Sequence, residues 1–234
     1  MNLIELKHVG KRYRGEQAPA VHDVSCAVAE GEFVCLIGPS GCGKTTVLKL
    51  IAGLEEKTAG TITKPARVVM TFQSGALLPW LTVFGNVALG LRVRGERHEK
   101  VMHAVDRELR AVGMLTMHDK YPGDLSGGQR QRVGIARALA VEPAVLLMDE
   151  PFSALDPKTT AELHDDIGRI WRERRMTVVM VSHLIEEAVS LAGRVILMRD
   201  GTIDQTFPID LPYPRRESEH FHREVMKIRR EFFR

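Results

Sequence analysis

The chain has 234 residues, 44% of them hydrophobic, and a formal net charge of +3 from 33 basic and 30 acidic residues. That length and apolar share bury a sizeable core in one or two domains without staples, and the interleaved charges lack the one-sided basic footprint of a nucleic-acid binder. The start, "MNLIELKHVG", is unlike a secretory leader and no apolar run nears the roughly 20 residues that cross a bilayer, so the chain is expected neither to be secreted nor to span a membrane by itself. Cys26, Cys35 and Cys42 are odd in number and lack C-x-x-C spacing, which argues against a disulfide framework and a zinc site and fits a reducing cytosol.

In chain order, "LIELKHV" and "VHDVSCAV" alternate apolar and polar positions, as half-buried antiparallel strands do. "FVCLIG", residues 33 to 38, is a short, nearly continuous apolar run, as expected of a strand buried on both faces. Similar runs at 68–72, 145–148, 177–181 and 194–198, with helical segments between them, predict an α/β fold built on a mostly parallel sheet. Residues 75–140 are long for a simple crossover and predict an inserted α-helical subdomain. Its last helix begins at Ser126 and stops before Glu142 and Pro143. Another helix begins at Asp156, a capping residue, with Pro157 in its first turn. These elements make residues 1–206 one unit. The tail, 207–234, carries Phe221, Val225, Ile228 and Phe232 at helical spacing, which predicts an amphipathic helix docked by one stripe.

"GPSGCGKTT", residues 38–46, fits G-x-x-x-x-G-K-[ST] directly after a predicted strand and before a helical segment. Gly38, Pro39, Ser40, Gly41, Cys42 and Gly43 form a loop whose N–H groups can turn toward phosphate oxygens. Lys44 can reach the β and γ phosphates, and Thr45, beside Thr46, can hold Mg²⁺. In "VLLMDEP", Asp149 ends a buried strand and is the expected magnesium carboxylate. Glu150, one residue later and on the other side of an extended chain, is the candidate for polarising the attacking water. In "LSGGQ", Ser126, Gly127, Gly128 and Gln129 open a helix stripped of side chains, which reads as a second anion site. One triphosphate does not need two such sites from one chain, so the second can serve a neighbouring subunit. Arg130 and Arg132 read as a solvated helix face.

With that order of motifs the chain resembles the nucleotide-binding subunits of ATP-binding cassette (ABC) transporters over about residues 1–205. The resemblance implies a P-loop NTPase core with an N-terminal antiparallel β subdomain. It implies that ATP with Mg²⁺ lies between the phosphate loop of one subunit and the signature helix of a second copy. It makes Tyr13 an adenine-stacking residue, where the bare sequence also allows a hairpin closure. Gln73 becomes a nucleotide and magnesium contact joined to the helical subdomain, and His183 a γ-phosphate contact, where the bare sequence also allows a backbone-satisfied strand-end histidine. Asp156, in "SALD", joins a loop crossing the dimer interface. Leu77, Leu78 and Trp80 are candidates for docking an integral membrane permease, with core packing as the other reading. "LLPWLTVFGNVALGL" and "IDLPYPRR" are similar to importers of nitrate, alkanesulfonate and taurine. The implied setting is the cytoplasmic face of the membrane, with permease subunits, a periplasmic or lipid-anchored solute-binding protein and no nucleic acid. Another solute, or a non-transport ABC ATPase, is the alternative.

Overall fold

The computed structural model describes every residue except Ser74, Ala154 and Glu217. In chain order the elements are β1 (Asn2–Lys11), β2 (Val21–Ala29), β3 (Phe33–Ile37), α1 (Lys44–Ala52), β4 (Ala59–Thr63) and β5 (Val68–Thr71). There follow α2 (Val83–Val93), α3 (His98–Ala111), two short 3-10 turns at Leu115–Met117 and Pro122–Asp124, and α4 (Gly127–Ala140). The chain then alternates β6 (Val145–Asp149), α5 (Pro157–Arg174), β7 (Thr177–Val181), α6 (Ile185–Leu191) and β8 (Arg194–Arg199), and ends with β9 (Thr202–Pro208) and α7 (Glu219–Phe232).

Two sheets result. β2, β1 and β4 form an antiparallel sheet, and the second sheet runs β5-β6-β7-β3-β8-β9. All pairs of that second sheet are parallel except β8 with β9. Its inner strands explain their apolar runs. Phe33, Cys35 and Ile37 face one core, shared with Leu146, Met148, Val178 and Met180, while Val34 and Leu36 face the other, with Val145, Leu147, Val179 and Val181. A strand packed on both faces has no polar side to show. β5 departs from this expectation: it is an edge strand and its first three residues are only half-buried. β4 and β9 were not legible as strands because their outward positions carry Thr, Asp and Gln in short, weakly apolar segments.

Between β5 and β6 the chain folds into α2, α3 and α4, which pack on one another and on the core of the first face. Helix starts follow side-chain caps. Thr82 accepts from Gly85 N–H, Ser126 from Gln129, Asp156 from Thr159 and Ser218 from Phe221. In α7, Phe221, Val225 and Ile228 are buried, as the tail's stripe requires, and Phe232 packs against the same core.

Candidate active site

The phosphate loop leaves β3 at Ile37. A Cβ on Gly38 would lie 2.2 Å from Met198 O, and one on Gly43 would lie 2.4 Å from Ala20 O; both residues have positive φ. Only glycine fits at those two points. Gly43 caps α1 without a side chain, and the first turn holds no acid, so the helix's free N–H groups remain available to an anion. Lys44 is 5% exposed, with Nζ donating to Gly38 O at 2.7 Å and Pro39 O at 2.8 Å. The loop and α1 line a cleft of 340 Å³ through Ser40, Gly41, Gly43, Lys44, Thr45 and Thr46, which Ala20, Glu150 and His183 complete.

The sheet register delivers the acids. β6 and β7 align Asp149 with Val181, and β7 and β3 align Val181 with Leu36, so three adjacent strands end at one level. Thr45 Oγ1 donates to Asp149 Oδ1 at 2.9 Å. Burial pushes the Asp149 carboxyl up, the Thr45 hydrogen bond opposes that, and Glu150's charge adds to it. One hydroxyl and one carboxylate suit Mg²⁺, a hard cation that Thr45 and Asp149 would hold where it could neutralise phosphate charge. Glu150 reaches the cleft by a different route from strand alternation. The strand ends at Asp149, and Glu150 has φ 48° with its N–H donated to Val181 O. Its Oε1 lies 2.5 Å from His183 Nε2.

Gln73 Nε2 donates to Ser153 Oγ at 2.8 Å, and Ser153 Oγ donates to Glu150 O. Gln73 thus joins the Glu150 segment through Ser153 and is absent from the residues lining the loop cleft. Tyr13 lies past the end of β1 with its Oη 3.4 Å from Thr46 Oγ1 and Lys11 Nζ over its ring. Ser126 and Gln129 cap each other reciprocally, Ser126 N donating to Gln129 Oε1 and Gln129 N to Ser126 Oγ. Serine with glutamine three residues later is a capping-box pattern, so this use of Gln129 was available in the sequence. Gly127 is exposed, whereas Gly128 is buried and a Cβ there would meet Thr159 Cγ2 at 2.5 Å. Ser126, Gly128 and Gln129 line a separate cleft of 410 Å³ that shares no residue with the loop cleft. Asp156 is exposed and caps α5, and hydrogen bonds from Thr159 hold its carboxyl below the usual range. Ala154 of "SALD" lies outside the described residues.

Arg132 is not solvated. Its guanidinium pairs with Asp166 and lies 3.5 Å from Glu162, tying α4 to α5, while Arg130 donates to Leu125 O. The structure adds Asn86, fully buried in α2, whose side chain accepts from Leu78 N and donates to the carbonyls of Leu78, Leu81 and Thr82. It organises the turn that presents Trp80, which is 70% exposed. Leu77 packs on the core and Leu78 is half-buried.

The family model of the ABC transporter matches residues 21–153. The chain is 46% identical over 222 residues to the aliphatic sulfonates import ATP-binding protein SsuB of Burkholderia pseudomallei (strain K96243), covering 91% of this chain and 65% of that protein. It is 41% identical over 215 residues to the spermidine/putrescine import ATP-binding protein PotA of Mesoplasma florum, covering 87% of this chain and 61% of that one. The dimeric, post-hydrolysis ATP-binding cassette MJ0796 bound to ADP and Pi superposes with a TM-score of 0.80 at 31% identity, over 89% of this chain and 100% of that chain. With the matched region holding both the phosphate loop and the Asp149–Glu150 strand end, the chain belongs to the ABC transporter family as an ATP-hydrolysing cassette.

Proposed function

We propose that this cassette is the motor subunit of a multi-chain importer, working as a head-to-tail pair at the cytoplasmic face of a membrane. Lys44 and the N–H groups of the loop and α1 bind the triphosphate, with Tyr13 against the adenine. Thr45 and Asp149 would hold Mg²⁺, which when bound neutralises phosphate charge. Gln73 links that centre to the helices that follow it. Glu150 takes the proton of the attacking water, and His183, 2.5 Å away, orients the carboxylate and faces the γ-phosphate. Ser126, Gly127 and Gln129 of the second copy close the site, since the signature cleft and the loop cleft share no residue within one chain.

Transport rests on Trp80. A tryptophan left 70% exposed on a turn braced by a buried asparagine is an anchor for a partner, seven residues after Gln73 in the chain. Among the described residues no helix is long and apolar enough to cross a membrane, so a permease subunit would supply the path. The solute is a small anion such as nitrate, sulfonate or taurine, supported by the likeness to the sulfonate relative and by the sequences around Trp80 and in the tail. A solute-binding protein would present it to the permease. Trp80→Asp should release the chain from a co-purified permease while ATP binding stays within about twofold, because the lost contact is intermolecular. Retention of the permease by this variant, or joint loss of folding and ATP binding, counts against the docking role.

A further inference from the structure

A buried polar chain lies behind the Glu150–His183 pair, outside the nucleotide cleft. Glu187 of α6 is 6% exposed, and its Oε2 accepts from Ser182 Oγ. The same hydroxyl oxygen accepts Leu184 N–H at 2.9 Å. Ser182 and Leu184 flank His183, so one hydroxyl, oriented by one carboxylate, closes the turn that carries the histidine. Ser182 N–H in turn donates to Leu36 O, fixing that turn to the end of β3.

The opposite wall is His164 of α5, 2% exposed. Its Nε2 lies 3.9 Å from Glu187 Oε1 and makes no hydrogen bond, while its ring packs edge-on against Phe152 at 4.0 Å between centroids. Phe152 follows Glu150 by two residues. Phe152, His164, Glu187 and Ser182 therefore touch the chain on both sides of the catalytic pair. No lysine or arginine pairs with Glu187 among the described residues. An apolar side chain would fill the same space without the desolvation of a carboxylate, so packing alone does not account for the residue.

We propose that Glu187 is a positioning residue that, through Ser182, holds the 182–184 turn so that His183 meets Glu150, with His164 and Phe152 setting the opposite wall. The inference rests on Glu150 and His183 being the hydrolytic pair.

The test uses the complete chain and compares Glu187→Ala, Glu187→Gln and Ser182→Ala, with Glu150→Gln alongside. Glu187→Ala and Ser182→Ala should lower kcat by about tenfold or more with the KM for ATP within about twofold, and the double variant should be no slower than the slower single one. Glu187→Gln keeps an oxygen that accepts from Ser182, and should return kcat to within about threefold of the unaltered chain. A Gln variant as slow as the Ala variant, or a KM that rises in step with the loss of kcat, overturns the proposal. If Glu187→Ala does not fold, Ser182→Ala decides alone. The His183 ring resonance, assigned by its disappearance in His183→Gln, gives a readout without turnover: it should move in Ser182→Ala and stay in Glu187→Gln, and an unmoved resonance in Ser182→Ala overturns the proposal. Undiminished turnover in Glu150→Gln would instead remove the hydrolytic pair itself, while the resonance would still report on the turn.

Discussion

At Glu150 the backbone takes φ 48°, a left-handed angle unfavourable for a glutamate by about 1 kcal/mol or more, and the surrounding sheet imposes it through the N–H bond to Val181 O. That angle swings the carboxylate to His183 and into the loop cleft. Glu150→Gln keeps the shape and removes the proposed base, so steady-state ATP hydrolysis should fall by about a hundredfold or more while ATP affinity is retained; turnover within a few-fold of normal would reject the role. Glu187 makes a separate, pH-linked prediction. Burial raises its carboxyl from 4.5 to about 7, the Ser182 hydrogen bond opposes that, and the charges of Glu186 and Glu150 add to it; His164 and the buried Cys35 thiol also face it. A raised acid binds its proton more tightly folded than unfolded, so stability is fully present below 4.5 and is lost as pH rises through about 7. The loss is roughly 3 kcal/mol. Glu187→Gln has no such titration, so its stability relative to the unaltered chain should improve by about that amount between pH 4 and pH 8 in denaturant unfolding. A gap independent of pH would show that the carboxyl does not titrate in this range.

Helix α4 carries the signature at its start and holds the Gln73 segment along its side. Arg137 donates to Gly75 O and Ala76 O at 2.8 Å each, Gln131 reaches Phe72 O, and a Cβ on Gly134 would come within 2.8 Å of Gly75 Cα. Alanine in a helix is favoured over glycine by about 1 kcal/mol, but a backbone clash costs about 1–3 kcal/mol, so Gly134→Ala should be destabilising. Gly168 in α5 is the contrast. A Cβ there would find Arg172 Nη1 at 3.4 Å and Leu191 Cδ2 at 3.5 Å, ordinary contact distances. Gly168→Ala should therefore stabilise by about 0.5–1 kcal/mol. Thermal unfolding of the two variants checks the pair: opposite signs are expected; stabilisation by Gly134→Ala would show that α4 and the Gly75 backbone do not touch as closely as described, and destabilisation by Gly168→Ala would show that its surroundings do not accept a methyl group.

For the whole molecule, two clefts proposed to bind phosphate, with no shared lining residue, pose the question of how many chains make one site. Lys44→Ala removes the phosphate cation of one cleft, and Ser126→Arg fills the other. Each variant alone should be nearly inactive. If the clefts act in trans, mixed dimers of the two hold one doubly damaged site and one intact site, whereas in a cis arrangement every site would carry a lesion. Random mixing makes about half the dimers mixed, so activity should recover to about a quarter of normal when sites act independently. Dimerisation is concentration-dependent, so the mixture is assayed at high protein concentration. The trans arrangement fails if there is no recovery and Glu150→Gln also stays monomeric by light scattering in saturating MgATP.

Continuous apolar runs disclosed the inner strands, because residues packed on both faces leave no polar alternation; Pro157 and Asp156 disclosed the start of α5, because capping is local chemistry. The phosphate loop was legible for a similar reason, since its glycines, lysine and threonine act within nine residues of chain. The sequence alone also placed Asp149 at a strand end, and its order of motifs pointed to the ABC family to which the chain belongs. Only the tertiary structure decided what depends on separate segments meeting. The contact of Glu150 with His183 needs β6 beside β7 and a left-handed backbone; Arg132 is held in ion pairs because α5 lies across it, and the Gly134–Gly75 approach needs α4 against the Gln73 segment. Edge strands β4 and β9 belong to the same class, being selected by backbone hydrogen bonds to a neighbour that no local pattern encodes. The Glu187–Ser182–His164 cluster brings together α6, the end of β7 and α5, and its chemistry exists only once those three are packed.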